Sequence, residues 1–426
     1  MRRPRVDRLV ILVAVVAFFA AACTPTSDSN TDQGVVEVFG PFRGEDAAKF
    51  AATVAPFEEE TGIDVRYVGA GSFVQNIQQR VADADYPDVA LFPQPALLRD
   101  MAAQGALVPV PDEVASRFLA DVPGAVIGEA GGVLYGIWFR AAAKSLVWYR
   151  PDVFEARGYT VPKTWGELVA LSQVMKSDGV APWCLSMESF GSTGWVGTDW
   201  IEDIVLREQG VDVFDGWVAG DVLFSSSEIT QAFATFGAIV NDTGSVLGGT
   251  NRILNVPWQR AADPMFDAEP ACMMQKQASF WVPDASLGTV FGENFDFFIL
   301  PGVTAAPAPV LVSGDIAGAF NDRPEVAAFM EFLAGPDAGV GWASRGGFIS
   351  PHPEFDPADY IFDVDRKVGQ TILDAPSLRF DGSDLMPSVV GTDAFWEGIR
   401  DFIRTGIFPA AEIDEAFPRP ALFNDG

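Results

Sequence analysis

In the first part of the chain after residue 34, segments with the apolar pattern of β-strands alternate with segments that have the apolar spacing of α-helices. Strands are predicted at residues 35–39 and 88–92, which are short and mainly apolar, and at residues 63–67, where apolar and polar residues alternate. Between and after these runs, apolar residues recur every three to four positions, which predicts helices around residues 50–57, 73–81 and 97–101. This β-α-β-α-β order predicts a mostly parallel sheet with helices on both faces.

The same alternation restarts after a strand predicted for residues 145–149. Thr164 and Glu167 form a capping-box signature in front of a helix that ends near Gly179. Further apolar stripes of helical spacing cover residues 199–205, 229–240 and 324–333. A restart of this kind in a chain of 426 residues indicates an α/β protein with two domains.

A basic, apolar leader precedes this patterned region. Four arginines lie among the first eight residues, an uncharged run extends from Leu9 to Ala22, and Cys23 follows directly. The run is shorter than the roughly 20 residues that span a bilayer, but it fits a secretory signal peptide over residues 1–22. Small residues before Cys23 resemble the lipobox of bacterial lipoproteins, in which this cysteine is acylated. Ordinary cleavage without lipid is the alternative, and the chain is exported in either case.

The polar stretch from Thr24 to Gly34 lacks an apolar period. Together with Cys23 it is interpreted as a lipidated flexible tether over residues 23–34. The predicted location is therefore outside the cytoplasm, on the outer face of a bacterial cell membrane. The lipid on Cys23 is the only membrane attachment that we predict.

Acidic residues dominate the charge of the chain. Its formal net charge is −30, and removal of the leader would make the remainder more acidic still. Such a surface repels nucleic acid and anionic lipid, so neither is expected as a partner. A monomer is expected.

If Cys23 carries lipid, Cys184 and Cys272 are the two cysteines that remain. An even number in an oxidising compartment predicts a disulfide between them. Two buried free thiols are the alternative.

Few enzyme classes fit the residues that the chain contains. Its one histidine, His352, lies between two prolines, and there is no G-x-S-x-G elbow for a nucleophile. The motifs of zinc sites, Walker loops and dinucleotide-binding turns are also missing from the sequence. We therefore predict no catalytic residues, no metal and no cofactor. Glycoside hydrolysis stays open, because it needs only two carboxylates.

Carbohydrate binding fits the composition better. Sugars offer apolar faces that stack on aromatic rings, and hydroxyl groups that bond to carboxylate, amide and guanidinium groups. Mixtures of these residue types follow the first and third predicted strands, at residues 42–45 and 92–94, and another mixture occurs at residues 195–200. For any single tryptophan, burial in a core is the alternative.

Several segments together resemble one known family, the extracellular solute-binding proteins (family 1) of ABC sugar importers, and in particular its α-glucoside-binding, lipoprotein branch. The shared segments appear in the expected order and cover most of the chain after the leader. They include residues 57–65, 86–89, 93–95, 105–108, 136–149, 162–168, 182–184, 194–203, 272–280, 313–315, 345–351, 379–387 and 394–396.

The resemblance implies a periplasmic-binding-protein-like α/β fold. In this fold, two doubly wound lobes are joined by a hinge that the chain crosses more than once. Residues 35–144 plus 312–349 would form lobe 1, and residues 148–308 plus 350–426 would form lobe 2. Closure of the lobes would capture an uncharged oligosaccharide, expected to be an α-glucoside, and deliver it to ABC transporter permease subunits without any chemical turnover.

The resemblance also implies a set of ligand-binding residues. Stacking aromatic rings and polar partners are expected at Phe42, Arg43, Glu45, Gln94, Trp195, Asp199, Trp281, Asp315, Arg345 and Trp396. Residues 42–45 and 273–276 differ from the segments usual in the family, which leaves the particular sugar open. A polyol, an osmolyte or a peptide as cargo, and a secreted glycosidase, are the alternative functions.

Overall fold

The computed structural model describes residues 34–122, 124–283 and 285–418. The signal peptide, Cys23 and most of the tether lie outside these residues. Within them, strands and helices follow each other in the order that the apolar pattern predicts. The bounds of the strands are β1 Val35–Gly40, β2 Asp64–Gly69, β3 Val89–Phe92, β4 Glu129–Ala130, β5 Val133–Leu134, β6 Gly136–Ala143, β7 Leu146–Tyr149, β8 Ala181–Trp183, β9 Cys272–Lys276, β10 Asp296–Ile299, β11 Val310–Ala319 and β12 Leu378–Phe380.

Helices pack against both sheets. Their bounds are α1 Glu45–Thr61, α2 Phe73–Ala82, α3 Pro95–Ala103, α4 Asp112–Asp121, α5 Pro151–Arg157, α6 Trp165–Ser177, α7 Trp195–Glu208, α8 Val211–Ala219, α9 Ser227–Val240, α10 Gly249–Asn255, α11 Pro324–Leu333, α12 Val340–Ala343, α13 Asp363–Leu373, α14 Gly382–Leu385, α15 Trp396–Thr405 and α16 Ala410–Ala416. A stretch of π-helix, Val389–Phe395, leads directly into α15.

Capping residues explain several of these ends. The hydroxyl of Thr164 accepts a hydrogen bond from the Glu167 N–H at 3.2 Å, so the predicted N-terminal cap of α6 is present. The Glu167 carboxylate accepts from the N–H of Lys163, one residue before the position that a complete capping box requires. At the end of α1, Gly62 adopts the left-handed conformation, with φ of 72°, that closes many helices.

The first sheet holds β1, β2, β3, β6, β11 and β12. Strand β1 pairs in parallel with both β2 and β3, as the early β-α-β-α-β pattern predicts. Strand β11, however, runs antiparallel to β3 and to β6. The sheet is therefore mixed, because β11 enters it from the opposite side, after the chain has returned from the second sheet.

The second sheet has the strand order β10-β7-β9-β8. Strand β7 is antiparallel to β9 and to β10, and only β8 and β9 pair in parallel. We call each sheet with the helices that pack on it a lobe. One buried apolar cluster includes Phe50 and Leu91 of the first lobe and extends to Trp148 and Phe297 in the second sheet, and another cluster includes Ile204 and Phe236 of the second lobe.

The chain crosses between the lobes where two consecutive strands belong to different sheets. It leaves the first sheet between β6 and β7, at Lys144 and Ser145, and returns between β10 and β11. Residues 350–426, which the sequence assigns to the second lobe, contribute β12 to the first sheet and α15 to the core of the second lobe. These connections confirm the two-lobed α/β architecture.

Cys184 and Cys272 form the predicted disulfide, with their Cα atoms 5.3 Å apart. It links the residue after β8 to the first residue of β9, its parallel neighbour in the second sheet.

Candidate functional site

A cavity of about 1010 Å³ lies between the two lobes. Its size is at the upper end of the range of about 300–1,000 Å³ that is usual for small-molecule sites. The first lobe contributes the segments that follow β1 and β3, together with the facing strands β6 and β11. The second lobe contributes the entry to α7, the segment after β9, and the first residue of α15.

Three aromatic residues form one wall of this cavity. The ring of Trp195 lies 5.1 Å from that of Trp258 and 5.9 Å from that of Phe280, and the last two rings are 5.7 Å apart. Their mutual orientations are edge-on or tilted, so each ring is fixed by the other two. Phe280 is 37% exposed and therefore offers part of its surface to a guest. Such a wall can stack against the apolar face of a ring-shaped solute.

Strands β6 and β11 form one side of the cavity, which we call its floor, and they carry two side chains of opposite charge. Arg140 of β6 and Asp315 of β11 are cross-strand neighbours, with 3.5 Å between guanidinium and carboxylate. The guanidinium also lies over the ring of Trp342, 4.6 Å from its centroid. Burial raises the pKa of Asp315 to about 6, although Arg140 acts in the opposite direction. The pair presents donors and acceptors to polar groups of a ligand.

Lys144, in the crossover between the lobes, is the centre of a buried cluster of charges. Its ammonium group forms ion pairs with Asp199, at 2.9 Å, and with Asp381. Glu202 and Asp384 lie near enough to raise the Lys144 pKa further, so it stays well above its ordinary value although burial lowers it. Burial raises the pKa of Asp199 to about 7, against the effect of Lys144.

Backbone N–H groups, as well as ion pairs, form hydrogen bonds with the carboxylates of this cluster. The Glu202 carboxylate accepts the N–H groups of Gly382 and Ser383, at 2.7 and 3.0 Å. Burial raises the pKa of Glu202 and of Asp384 well above the ordinary range, whereas Lys144 and hydrogen bonds lower that of Asp381. Lys144, Asp381 and Asp384 line the cavity, so the cluster links the ligand space to the crossover.

The structure brings seven of the ten predicted ligand-binding residues to this cavity: Phe42, Glu45, Gln94, Trp195, Asp315, Arg345 and Trp396. They differ in how much they offer a ligand. Phe42 is only 5% exposed and packs edge-on against Trp342, so it mainly supports the floor. The Arg345 guanidinium donates to the carbonyl oxygen of Gly341 in α12 at 2.6 Å. One of its N–H groups is therefore already used within the protein.

Three predicted residues do not line the cavity. Trp281 is buried behind it, where its indole N–H donates to the carbonyl oxygen of Gln259 and its ring contacts Trp148 edge-on. Asp199 is buried in the ion pair with Lys144. Arg43 is exposed, and its guanidinium lies against Gly71. Trp281 therefore packs behind the cavity, and Phe280 is the ring of this segment that lines it. The ligand contact expected of Trp281 stays a prediction.

The sequence prediction did not select several residues that line the cavity. Arg140, Lys144, Trp258, Phe280, Asp381 and Asp384 belong to this group. Phe280, Lys144, Asp381 and Asp384 occur in segments that carried the family resemblance, so a signal was present for them. Arg140 also lies in such a segment, residues 136–149. Trp258 had no such signal, because only the tertiary fold brings it to the cavity.

His352 does not line this cavity. It is buried, and its Nδ1 accepts the N–H of Glu354 at 3.1 Å. Among residues 34–418, apart from the two undescribed positions, no cluster of three or more metal-ligating side chains occurs. Nor does any helix in that part of the chain combine the length and the apolar character needed to cross a bilayer.

A cleft between two α/β lobes, lined from both sides, is the arrangement expected of proteins that bind small solutes. Residues 43–340 match the family described as bacterial extracellular solute-binding protein. The chain belongs to this family. The family predicted from the sequence is thereby confirmed, whereas lipid attachment stays a prediction.

Two curated solute-binding proteins resemble the chain over most of its length. The osmoprotective compounds-binding protein GgtB of Synechocystis sp. is 36% identical over 420 residues, which cover 97% of this chain and 99% of GgtB. The alpha-glucosides-binding periplasmic protein AglE of Rhizobium meliloti is 36% identical over 378 residues, covering 86% of this chain and 82% of AglE.

Solved structures share the fold at lower identity. The bacterial solute receptor AcbH, described as having an exclusive preference for β-D-galactopyranose, superposes with a TM-score of 0.75 at 18% identity. The match covers 90% of this solute-binding protein and 97% of AcbH. At this identity the similarity supports the fold alone, and it agrees with the two-lobed architecture.

Proposed function

We propose that this solute-binding protein captures an uncharged sugar of the α-glucoside class and delivers it to the permease of an ABC importer. The observation that carries this proposal is the cavity itself, in which the aromatic wall of Trp195, Trp258 and Phe280 accompanies the polar floor of Arg140 and Asp315. The similarity to AglE supports the α-glucoside class.

The charges that line the cavity favour an uncharged ligand. Carboxylates outnumber cationic side chains there, and the chain as a whole carries a net charge of −30. An anionic solute would be repelled both at long range and inside the cavity. The cations present are largely paired: Lys144 with Asp199 and Asp381, Arg140 with Asp315, and Lys49 with Glu45.

Thermal unfolding in the presence of a sugar panel tests the proposal. Trehalose, sucrose, maltose and longer α-glucans are compared with their β-linked counterparts and with buffer. A ligand at a hundredfold excess over its dissociation constant adds about 2.7 kcal/mol to the free energy of unfolding. We expect one or more α-glucosides to give such a shift, and no shift with any saccharide would contradict the proposal.

The similarity to GgtB favours a second candidate, an osmoprotective compound. The two descriptions overlap wherever the osmoprotectant is itself an α-glucoside. Glycerol, sorbitol and glycine betaine in the same panel separate them. A shift with betaine alone, or with a simple polyol alone, would favour this second function over the first.

We further propose that the bound sugar leaves unchanged. GgtB and AglE, which resemble the chain over most of its length, are both described as binding proteins. Incubation of each stabilising sugar with the protein, followed by an assay for new reducing ends, tests this point. Turnover above that of a buffer control would favour the glycosidase alternative.

For its cellular setting, we propose a monomer held to the outer face of the cell membrane by lipid on Cys23. The support is the leader and its cysteine, both of which lie outside the described residues. The test is expression of the unmodified chain and the Cys23→Ser variant in a bacterial host with a labelled fatty acid. Label on the unmodified chain alone is expected, and equal labelling, or none, would contradict the anchor.

A further inference from the structure

A second cavity, of about 650 Å³, lies against the other face of the first sheet. Val312 of β11 lines it, whereas the next residue of this strand, Ser313, lines the cavity between the lobes. Successive side chains of a strand point to opposite faces of its sheet, so the sheet separates the two cavities. Among the described residues, none lines both of them. The volume is within the range of about 300–1,000 Å³ that is usual for small-molecule sites.

Most side chains that line the second cavity are apolar. Trp138 and Phe380 pack edge-on there, with their ring centroids 6.1 Å apart. Val126 and Leu373 also line it, and both are exposed although they are apolar. Such a lining favours a ligand with an apolar body, because the body leaves water when it enters.

The charged side chains that line this cavity are both arginines, Arg99 and Arg379. Within the part of the chain that the structure describes, no carboxylate lines it, although the chain has 58 acidic residues and 28 lysines and arginines. The cavity between the lobes differs in this respect, because several carboxylates line it. The charge around the second cavity therefore favours an anion.

Arg379 is already paired within the protein. Its Nε and Nη2 donate to the carboxylate of Asp215 at 2.6 and 2.8 Å, and its Nη1 donates to the carbonyl oxygen of Leu378 at 2.9 Å. The guanidinium of Arg379 therefore has little charge left to offer a ligand.

Arg99 is the cation that remains for a ligand. Its Nε and Nη2 donate to the carbonyl oxygens of Glu129 and Ile127, at 3.1 and 3.3 Å. Among the described residues, Nη1 has no partner, and it is not one of the unpartnered polar atoms that are shut off from solvent. Burial lowers the pKa of Arg99, although Asp100 and Glu129 raise it. Nη1 can therefore be reached from outside and can donate to a further group.

We propose that the second cavity is a binding site for a small amphipathic carboxylate, whose apolar body lies beside Trp138 and Leu373 and whose carboxylate accepts from Nη1 of Arg99. Hydrogen bonds between guanidinium and carboxylate are charge-assisted and about twice as strong as neutral ones. The carboxylates of the cavity between the lobes would repel the same molecule. The inference goes beyond the proposed sugar-binding function and does not rest on it.

Isothermal titration calorimetry with octanoate, octan-1-ol and octyltrimethylammonium tests the proposal. The three probes have similar linear chains and differ in the charge of the head group. The ionic strength is 0.15 M, at which charges more than about 8 Å apart are largely screened. We expect octanoate to bind with a stoichiometry of one, octan-1-ol about tenfold more weakly, and the cation more weakly still. Equal affinities for octanoate and octan-1-ol, or no binding of octanoate at millimolar concentration, would overturn the inference.

Arg99→Met removes the cation and keeps a long apolar side chain. We expect the dissociation constant of octanoate to rise about tenfold in this variant, and that of octan-1-ol to stay within about twofold. Arg252→Met is the matched control, because Arg252 also donates to backbone carbonyl oxygens, those of Arg260 and Ala261, but lines neither cavity. It should bind octanoate as the unmodified protein does. Equal losses in the two variants would contradict a role for Arg99.

A second variant keeps the bonds of Arg99 to the backbone intact. Leu373 is exposed, so Leu373→Asp should fold normally while its new carboxylate repels octanoate and weakens binding several-fold. Leu373→Asn, of similar size without the charge, should bind octanoate more tightly than Leu373→Asp. Phe280→Ala, in the wall of the other cavity, should leave the affinity for octanoate unchanged. Loss of octanoate binding in Phe280→Ala, with none in Leu373→Asp, would place the probe between the lobes and overturn the inference.

Discussion

Asp365 is a carboxyl group buried at the edge of the cavity. It accepts the N–H of Gly347 at 2.8 Å, and it is 3% exposed. Burial raises its pKa to about 6, although Gly347, Lys49 and Arg140 lower it. The folded chain therefore holds this proton more tightly than the unfolded chain, in which an aspartate has a pKa of about 3.9.

The raised pKa of Asp365 predicts how stability changes with pH. The stabilisation from protonation is complete below pH 4 and is lost as the pH rises through about 6. We expect this residue to add about 1 kcal/mol to the free energy of unfolding between pH 7 and pH 5. Urea denaturation at both pH values measures it, and Asp365→Asn should lack this increment. An equal gain in the variant would show that other groups are responsible.

Phe280 and Trp281 are sequence neighbours with different environments. Phe280 is 37% exposed at the cavity wall, whereas Trp281 is 5% exposed and hydrogen-bonded to Gln259. The family pattern locates this pair, but it cannot tell which ring faces the ligand. That choice depends on where the chain leaves β9 and on the packing of Trp148 against Trp281.

Alanine substitutions should separate the roles of these two rings. Phe280→Ala is expected to weaken sugar binding by about 1 kcal/mol, roughly fivefold in dissociation constant, with little change in stability. Trp281→Ala is expected to lower the free energy of unfolding by about 3–5 kcal/mol, because it leaves a cavity in the core. Calorimetric titration and urea denaturation of both variants provide the measurements. The reverse outcome would return Trp281 to the binding site.

At the scale of elements, the crossover between β6 and β7 is the segment that joins site and fold. Lys144 lies in it and pairs with Asp199 and Asp381, while the Ser145 hydroxyl donates to Asp203 at 2.7 Å. The position of this crossover could be predicted from the family resemblance. The charges that surround it could not, because Asp199 and Asp381 are 182 positions apart in sequence and meet only in the folded chain.

Loss of the crossover cation should destabilise the protein strongly. Lys144→Met leaves two buried carboxylates without their partner, and breaking a buried pair in this way costs about 3–5 kcal/mol. Lys176→Met is the control, because the ion pair of Lys176 with Asp242 is partly exposed and should contribute about 1 kcal/mol or less. Urea denaturation of both variants measures the difference. Similar losses in the two variants would mean that the buried cluster does not support the crossover.

The strand directions show a second limit to what the sequence pattern can predict about the elements. The predicted parallel pairing holds for β1 with β2 and β3, where apolar runs and helices alternate locally. The apolar pattern predicts no strand at residues 310–319, where β11 runs antiparallel to β3 and to β6. An apolar run in any case does not record the side from which a strand enters its sheet. Only the return of the chain from the second lobe determines that β11 is antiparallel to β3.

At the scale of the whole molecule, the two lobes share one cavity. A ligand that contacts both Gln94 of the first lobe and Trp195 of the second adds interactions to the contacts that already bridge the lobes. Among those bridging contacts, the hydroxyl of Ser388 donates to Asp100 at 3.3 Å. Ligand binding should therefore favour the conformations in which the lobes lie close together.

Small-angle X-ray scattering tests this expectation directly. The radius of gyration of the protein should decrease when the stabilising α-glucoside is added, because a bridging ligand shifts the population toward closed conformations. A non-binding β-linked sugar at the same concentration controls for solvent contrast. If binding is measured by calorimetry but the radius of gyration stays constant, the lobes are already closed without ligand, and recognition then occurs in a preformed cleft.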